Sequence, residues 1–212
     1  MTPDNKIKLK GTAQARALSF SRSAAQKRFD TDHYVEGYAA RWEQYLLYDD
    51  GDWGKVYERF ERGCFEGCDM SDIIMQYDHK GRVYARNTNG TLIVEPDDNG
   101  LFMAADLSRT EGARGLYEDI AAGLITKMSW RFMPDKYYIE RTEGSKDVCI
   151  VHTKIKKVYD VSAVSIPANN DTEINARSWC DGVIAAAARS EAELEDTRRR
   201  LKIKIKLMEE KS

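Results

Sequence analysis

Histidine is scarce in this 212-residue chain, with three in all, and the four cysteines are barely commoner. Each scarcity removes a class of chemistry. Cys64, Cys68, Cys149 and Cys180 are scattered and make no dense disulfide framework, so reduced thiols are expected. Cys64 and Cys68 stand close together, but no second Cys/His pair follows at finger spacing. A structural zinc is therefore not expected, and neither metal nor cofactor is implied. No apolar run approaches the roughly 20 residues of a membrane span, and the first residues lack a hydrophobic signal core, so neither membrane nor export is expected. An excess of one charge is missing too: 33 Lys and Arg face 35 Asp and Glu. Nothing pulls the whole chain towards nucleic acid. No internal repeat is present. Gly63-Cys-Phe-Glu-Gly67 lacks the Gly-Lys-Ser/Thr of a phosphate loop. Asp97-Asp98-Asn99-Gly100 lacks the bidentate Glu that would complete a calcium loop.

What is there describes a soluble, polar domain with one good-sized core, 42% hydrophobic and 32% charged. Residues 1–32 carry seven Lys or Arg against three Asp and read as a basic, partly ordered arm. Residues 33–180 read as the globular domain. Strands are expected over 35–48, 55–61, 73–77, 83–87, 91–95 and 101–107, with hairpin signals at Asn89-Gly90 and Asn99-Gly100. A helix is expected from Glu111, where Ala113, Leu116, Ile120 and Leu124 recur at helical spacing and Gly123 suits the left-handed C-terminal position. Further strands follow over 128–132, 135–141, 148–154 and 157–166. The fold class is thus α+β, a curved or closed, mostly antiparallel β-barrel with flanking helices. Residues 181–212 read as an amphipathic C-terminal helix: Ala187, Leu194, Leu201 and Met208 repeat at seven, and Ser190-Glu-Ala-Glu193 has a capping-box pattern.

Three residue types then stand out. From Ile125 the period drops towards two, placing Ser129 at the start of a strand whose Met128, Trp130 and Phe132 alternate with Lys127 and Arg131. A serine hydroxyl is a weak nucleophile until a base comes within hydrogen-bond reach. Among His33, His79 and His152, His79 is the best placed, at the end of an apolar strand beside Asp78 and a glycine turn. A histidine base needs a group that fixes its tautomer, usually a carboxylate. Asp160 is the odd residue in Val158-Tyr-Asp-Val-Ser-Ala-Val-Ser-Ile166, where a lone carboxylate must be paired or pay in desolvation. It could equally pair with Lys156, Lys157 or an arginine. Ser162 and Ser165, on that same strand, rival Ser129.

In order along the chain, these blocks resemble the prohead (capsid-maturation) serine proteases of tailed bacteriophages, whose fold is related to the herpesvirus assembly protease. The resemblance runs through Glu36-Gly-Tyr-Ala-Ala40, Arg62-Gly-Cys-Phe-Glu66 and the strand ending at His79. It continues through Ala85 to Leu92, Asp98 to Leu101, Gly123 to Phe132 and Tyr159 to Ala168. It implies a serine endopeptidase with Ser129 as nucleophile, His79 as base and Asp160 as the acidic member. The oxyanion donor is not identified by the sequence; a backbone amide near Ser129–Arg131 is the nearest candidate. Asp160 stands where many members have Glu, and Lys127-Met128 precede the serine where small residues are common. The implied substrates are the scaffold-like region of the major capsid protein and the protease itself, with self-association compatible and no nucleic-acid or membrane partner. The implied place of action is the immature prohead in the host bacterial cytoplasm. The competing reading is a non-catalytic capsid-assembly or scaffold protein that keeps the fold.

Overall fold

The computed structural model describes residues 14–21, 27–49, 54–141 and 144–165, with helical residues at 188–189, 192–193 and 195–199. In chain order the elements are β1 (Gln14–Ser21), β2 (Tyr34–Arg41), β3 (Tyr45–Asp49), β4 (Lys55–Phe60), β5 (Ile74–Tyr77) and β6 (Lys80–Arg86). There follow β7 (Leu92–Asp97), β8 (Gly100–Asp106), α1 (Glu111–Ala121), β9 (Lys127–Arg141) and β10 (Val148–Val164). The strands run in the order β3-β4-β10-β9-β1-β2-β8-β7, with β5 attached to β10 and β6 to β5.

The molecule is mostly β with few helices, as the α+β class requires. The expected closure into a barrel is corrected: the strand order is an open path, and its end strands β3 and β7 are not paired with each other among the described residues. The reason lies in β10. One of its edges is shared by two short strands in succession, β4 alongside Val148–His152 and β5 alongside Asp160–Ala163, both parallel to it. Its other edge is taken along the whole length by antiparallel β9. The sheet therefore branches at β10.

The arm contributes one strand to the sheet. Residues 14–21 form β1, which pairs with β9 from Gln14 to Ser19 and with β2 at Phe20 and Ser21. The sheet begins within the segment expected to be a lead-in. Two boundaries also shift. The strand expected over 35–48 divides into β2 and β3, because β2 pairs with β8 and β3 with β4. The strands expected on either side of residue 134, and those around residue 156, are continuous in β9 and β10. Pro134 is tolerated inside β9 because it faces Ile155 within a run of register shifts, where the ladder is already irregular.

α1 follows its sequence signals except at Leu124, expected on its apolar stripe, which lies beyond its last residue and is exposed. The Thr110 side chain accepts a hydrogen bond from the Ala113 amide at 3.1 Å, the N-cap interaction that satisfies one orphan donor. Ala113, Leu116 and Ile120 are buried. Gly123 has φ +76, and its amide returns to the Ile120 carbonyl at 3.1 Å, the left-handed stop expected there. The apolar face of α1 joins one core with Phe60, Ile73, Met75, Met103, Trp130 and Phe132. The C-terminal tail is helical at residues 195–199. Its apolar stripe of Ala187, Leu194, Leu201 and Met208 lies outside the described residues, as does Cys180.

Candidate active site

On β9, Met128, Trp130 and Phe132 are fully buried, with the Trp130 and Phe132 rings stacked at 4.2 Å between centroids. Alternation then puts Lys127, Ser129 and Arg131 on the other face of the strand. Register with β10 sets Ser162 opposite Ser129 and Asp160 opposite Arg131. Cross-strand partners share a face with their Cβ atoms about 5 Å apart. Ser129, Arg131, Asp160 and Ser162 therefore form one patch. Ser129 is 4% exposed and Asp160 2%.

His79 reaches this patch from the β5–β6 hairpin. The turn is the dipeptide Asp78-His79, with φ +48 and +58. Both central residues are in the left-handed region, as a tight hairpin turn demands, and although neither is glycine, Asp and His are among the side chains enriched there. A non-glycine residue held there costs on the order of 1 kcal/mol or more. The end of β10 supplies the compensation. The Asp78 amide donates to the Ala163 carbonyl at 2.9 Å. The Asp78 carboxylate accepts from the Ser165 amide at 3.0 Å and from its hydroxyl. His79 Nδ1 meets Asp160 Oδ1 at 2.5 Å.

That contact sets the imidazole chemistry. With Nδ1–H donating to the carboxylate, the lone pair is left on Nε2. Nε2 is buried and has no hydrogen-bond partner among the described residues. The structure thus brings His79 and Asp160 together and sets Ser129 on the strand beside Asp160, but no Ser129–His79 hydrogen bond is formed. Catalytic hydrogen bonds commonly tighten only with substrate in place.

The rival residues are otherwise engaged. Ser162 is fully buried and donates to Asp160 Oδ1 at 2.6 Å. Ser165 is spent on Asp78. His152 is fully buried, its Nε2 2.8 Å from the equally buried Glu58, with Phe60 stacked on its ring at 4.9 Å. His33 packs edge-on against Tyr117 at 5.0 Å. Of the cations offered to Asp160, Lys157 goes to Asp69 at 2.7 Å. Arg131, the neighbour not singled out beforehand, lies 3.8 Å from Asp160 Oδ2. Strand alternation from Ser129 was the signal that could have found it. The backbone near Ser129–Arg131, the nearest candidate for an oxyanion donor, belongs to a stretch of β9 paired on both edges, with β1 on one side and β10 on the other.

No group of three His, Cys, Asp or Glu residues suited to a metal occurs among the described residues. Cys64, Cys68 and Cys149 are free thiols. Burial pushes Cys64 up to about 12 and Cys68 up to about 11, so neither is a ready nucleophile at neutral pH. Grooves lined by Trp42, Arg62, Phe65 and Glu66, and by Arg82, Glu111, Arg114 and Glu118, contain none of these site residues.

A buried carboxylate, an imidazole oriented by it and a serine on the adjoining strand are the components of a serine hydrolase. The profile of the Caudovirus prohead serine protease family matches residues 21–182, and the chain belongs to that family. It is accordingly a serine peptidase. No curated protein matches the chain significantly. Among solved structures, the bacteriophage T4 capsid assembly protease, gp21, is similar at 12% identity and a TM-score of 0.43, covering 75% of this chain and 100% of that one.

Proposed function

We propose that the chain is a prohead-maturation endopeptidase that cleaves the scaffold-like region of the major capsid protein and itself, with Ser129 as nucleophile, His79 as general base and Asp160 as its orienting acid. The observation that carries this reading is the 2.5 Å contact between His79 Nδ1 and buried Asp160, which leaves Nε2 as the basic atom of the imidazole. In the acylation step Ser129 Oγ attacks the peptide carbonyl carbon and its proton passes to Nε2. The resulting imidazolium gives that proton to the departing amine as the C–N bond breaks. Water then repeats the sequence on the acyl-enzyme and frees Ser129. Asp160 stays ionised throughout and stabilises the imidazolium.

The kinship with the herpesvirus assembly protease belongs to the same proposal, as does action inside the prohead in the bacterial cytoplasm. So does the division into a protease domain over 33–180, whose sheet β1 of the N-terminal arm completes, and a C-terminal segment outside it. No metal, cofactor, nucleic acid or membrane enters the scheme. Co-production with the cognate capsid protein tests the substrate. The expected outcome is capsid-protein fragments whose new ends lie in its scaffold-like region, absent with Ser129→Ala. Intact capsid protein beside an enzyme that cleaves other proteins would contradict the substrate while sparing the chemistry.

A further inference from the structure

The Asp160 carboxylate has three neighbours, and the proton transfer uses one. His79 Nδ1 faces Oδ1 at 2.5 Å. Ser162, two residues further along β10, donates to that same oxygen at 2.6 Å. Arg131 Nε lies 3.8 Å from Oδ2. Ser162 has no exposed surface, and it stands directly opposite Ser129 in the β9–β10 register. A serine has a single proton to donate, and here it goes to the carboxylate, so Ser162 is placed to act on Asp160 and not on a substrate.

Resting on the assignment of Ser129, His79 and Asp160 above, we propose that Ser162 is a positioning residue for the acid–base pair. Its hydroxyl fixes the carboxylate so that Oδ1 meets Nδ1 and the imidazole presents Nε2 towards Ser129. An aspartate has two side-chain torsions, the outer one broad, and a second donor on Oδ1 beside Nδ1 narrows the range its carboxylate can take. Arg131 is 42% exposed and too far from Oδ2 for a hydrogen bond. Its pull is non-directional and solvent-screened. The rigid element is the Ser162 bond, buried, short and charge-assisted. Other charged groups face the patch without replacing that bond. Lys127 lies on the same face of β9, and the Asp78 carboxylate is taken up by Ser165.

The test is the rate at which a fluorophosphonate labels the purified full chain, with the labelled residue identified by peptide mass spectrometry. The inference predicts wild type labelled at Ser129. Ser162→Ala is then labelled at the same residue to the same final extent, but with a maximal rate roughly 10- to 100-fold lower and an unchanged half-saturating concentration. Ser162→Thr, which restores the hydroxyl, recovers most of the rate, whereas Ser162→Val, equal in shape to Thr, does not. That pair carries the test if the alanine variant fails to fold. A merely structural role would reduce the labelled fraction and leave the rate of the remainder unchanged. Equal rates for wild type and alanine, or for Thr and Val, overturn the inference and leave the protease site standing. Wild-type labelling at Ser162, or none at Ser129, overturns the site assignment itself.

Discussion

At the scale of single residues, the site depends on one imidazole held in an unfavourable backbone conformation by several small bonds. Asp160→Asn tests this most simply. The amide keeps the shape of the side chain but presents an N–H where Oδ1 accepts, which favours the wrong tautomer of His79. The expected outcome is a folded protein with peptide cleavage reduced roughly 10³- to 10⁴-fold, checked by a circular dichroism melt beside a cleavage time course. Retention of more than a tenth of the activity would remove Asp160 from its role. Candidate residues were legible here and residue geometry was not. Ser129 and His79 could be singled out as candidates, beside Ser162, Ser165 and the other histidines, from alternation and from a strand end. The left-handed conformation of Asp78 and His79 could not, because neither is the glycine that usually announces it. The attachment of Ser162 to Asp160 follows from two side chains two apart on one strand face, yet a sequence does not say which of several polar neighbours a buried carboxylate will choose.

At the scale of elements, signals in local chemistry were readable and those in long-range pairing were not. α1 appeared with its buried Ala113, Leu116 and Ile120 and its glycine stop because these signals are written within a few residues. The β9 and β10 breaks expected near Pro134 and Lys156 did not occur, because a bulged partner accommodates them. β1 was hidden for a different reason. A strand inserted between β9 and β2 is defined by partners more than a hundred residues away on one side, while its own Ala- and Ser-rich residues sit within a segment that is basic as a whole. Truncation follows from this. Removing residues 1–13 should leave a folded, soluble chain. Removing 1–21 should expose the edges of β9 and β2 and give aggregation, as measured by size-exclusion chromatography. A soluble, active 22–212 fragment would show that β1 is dispensable. By the same reasoning, any self-cleavage near the N-terminus that preserves activity falls before Gln14.

At the scale of the whole molecule, a few buried or paired titratable groups bound the pH range of stability. Burial pushes the Cys64 thiol from its ordinary 9.0 up to about 12 and the Tyr34 hydroxyl from 10.0 up to about 12. The unfolded chain ionises each of them first, so the folded state loses ground as pH climbs from about 9. On the acid side, hydrogen bonds from Lys157 and Ser71 hold Asp69 well below the usual carboxylate range, and a hydrogen bond from Arg86 lowers Asp72. These contributions are present above the ordinary carboxylate value of 3.8 and vanish as pH falls through the lowered ones. Both groups are exposed, so solvent screening keeps their effect small. Urea midpoints should therefore be nearly level from roughly pH 5 to 8 and decline on both sides, with the alkaline decline beginning near 9. A midpoint that still rises above pH 10 would contradict the burial of these groups.

The central claim is that Ser129 is the nucleophile of a peptidase. Its most direct test is intact mass followed over time for purified wild type and Ser129→Ala, each alone and mixed with the cognate capsid protein. The account predicts that wild type trims itself or its partner at discrete positions while the alanine variant leaves every chain whole. Identical processing in both samples would contradict it.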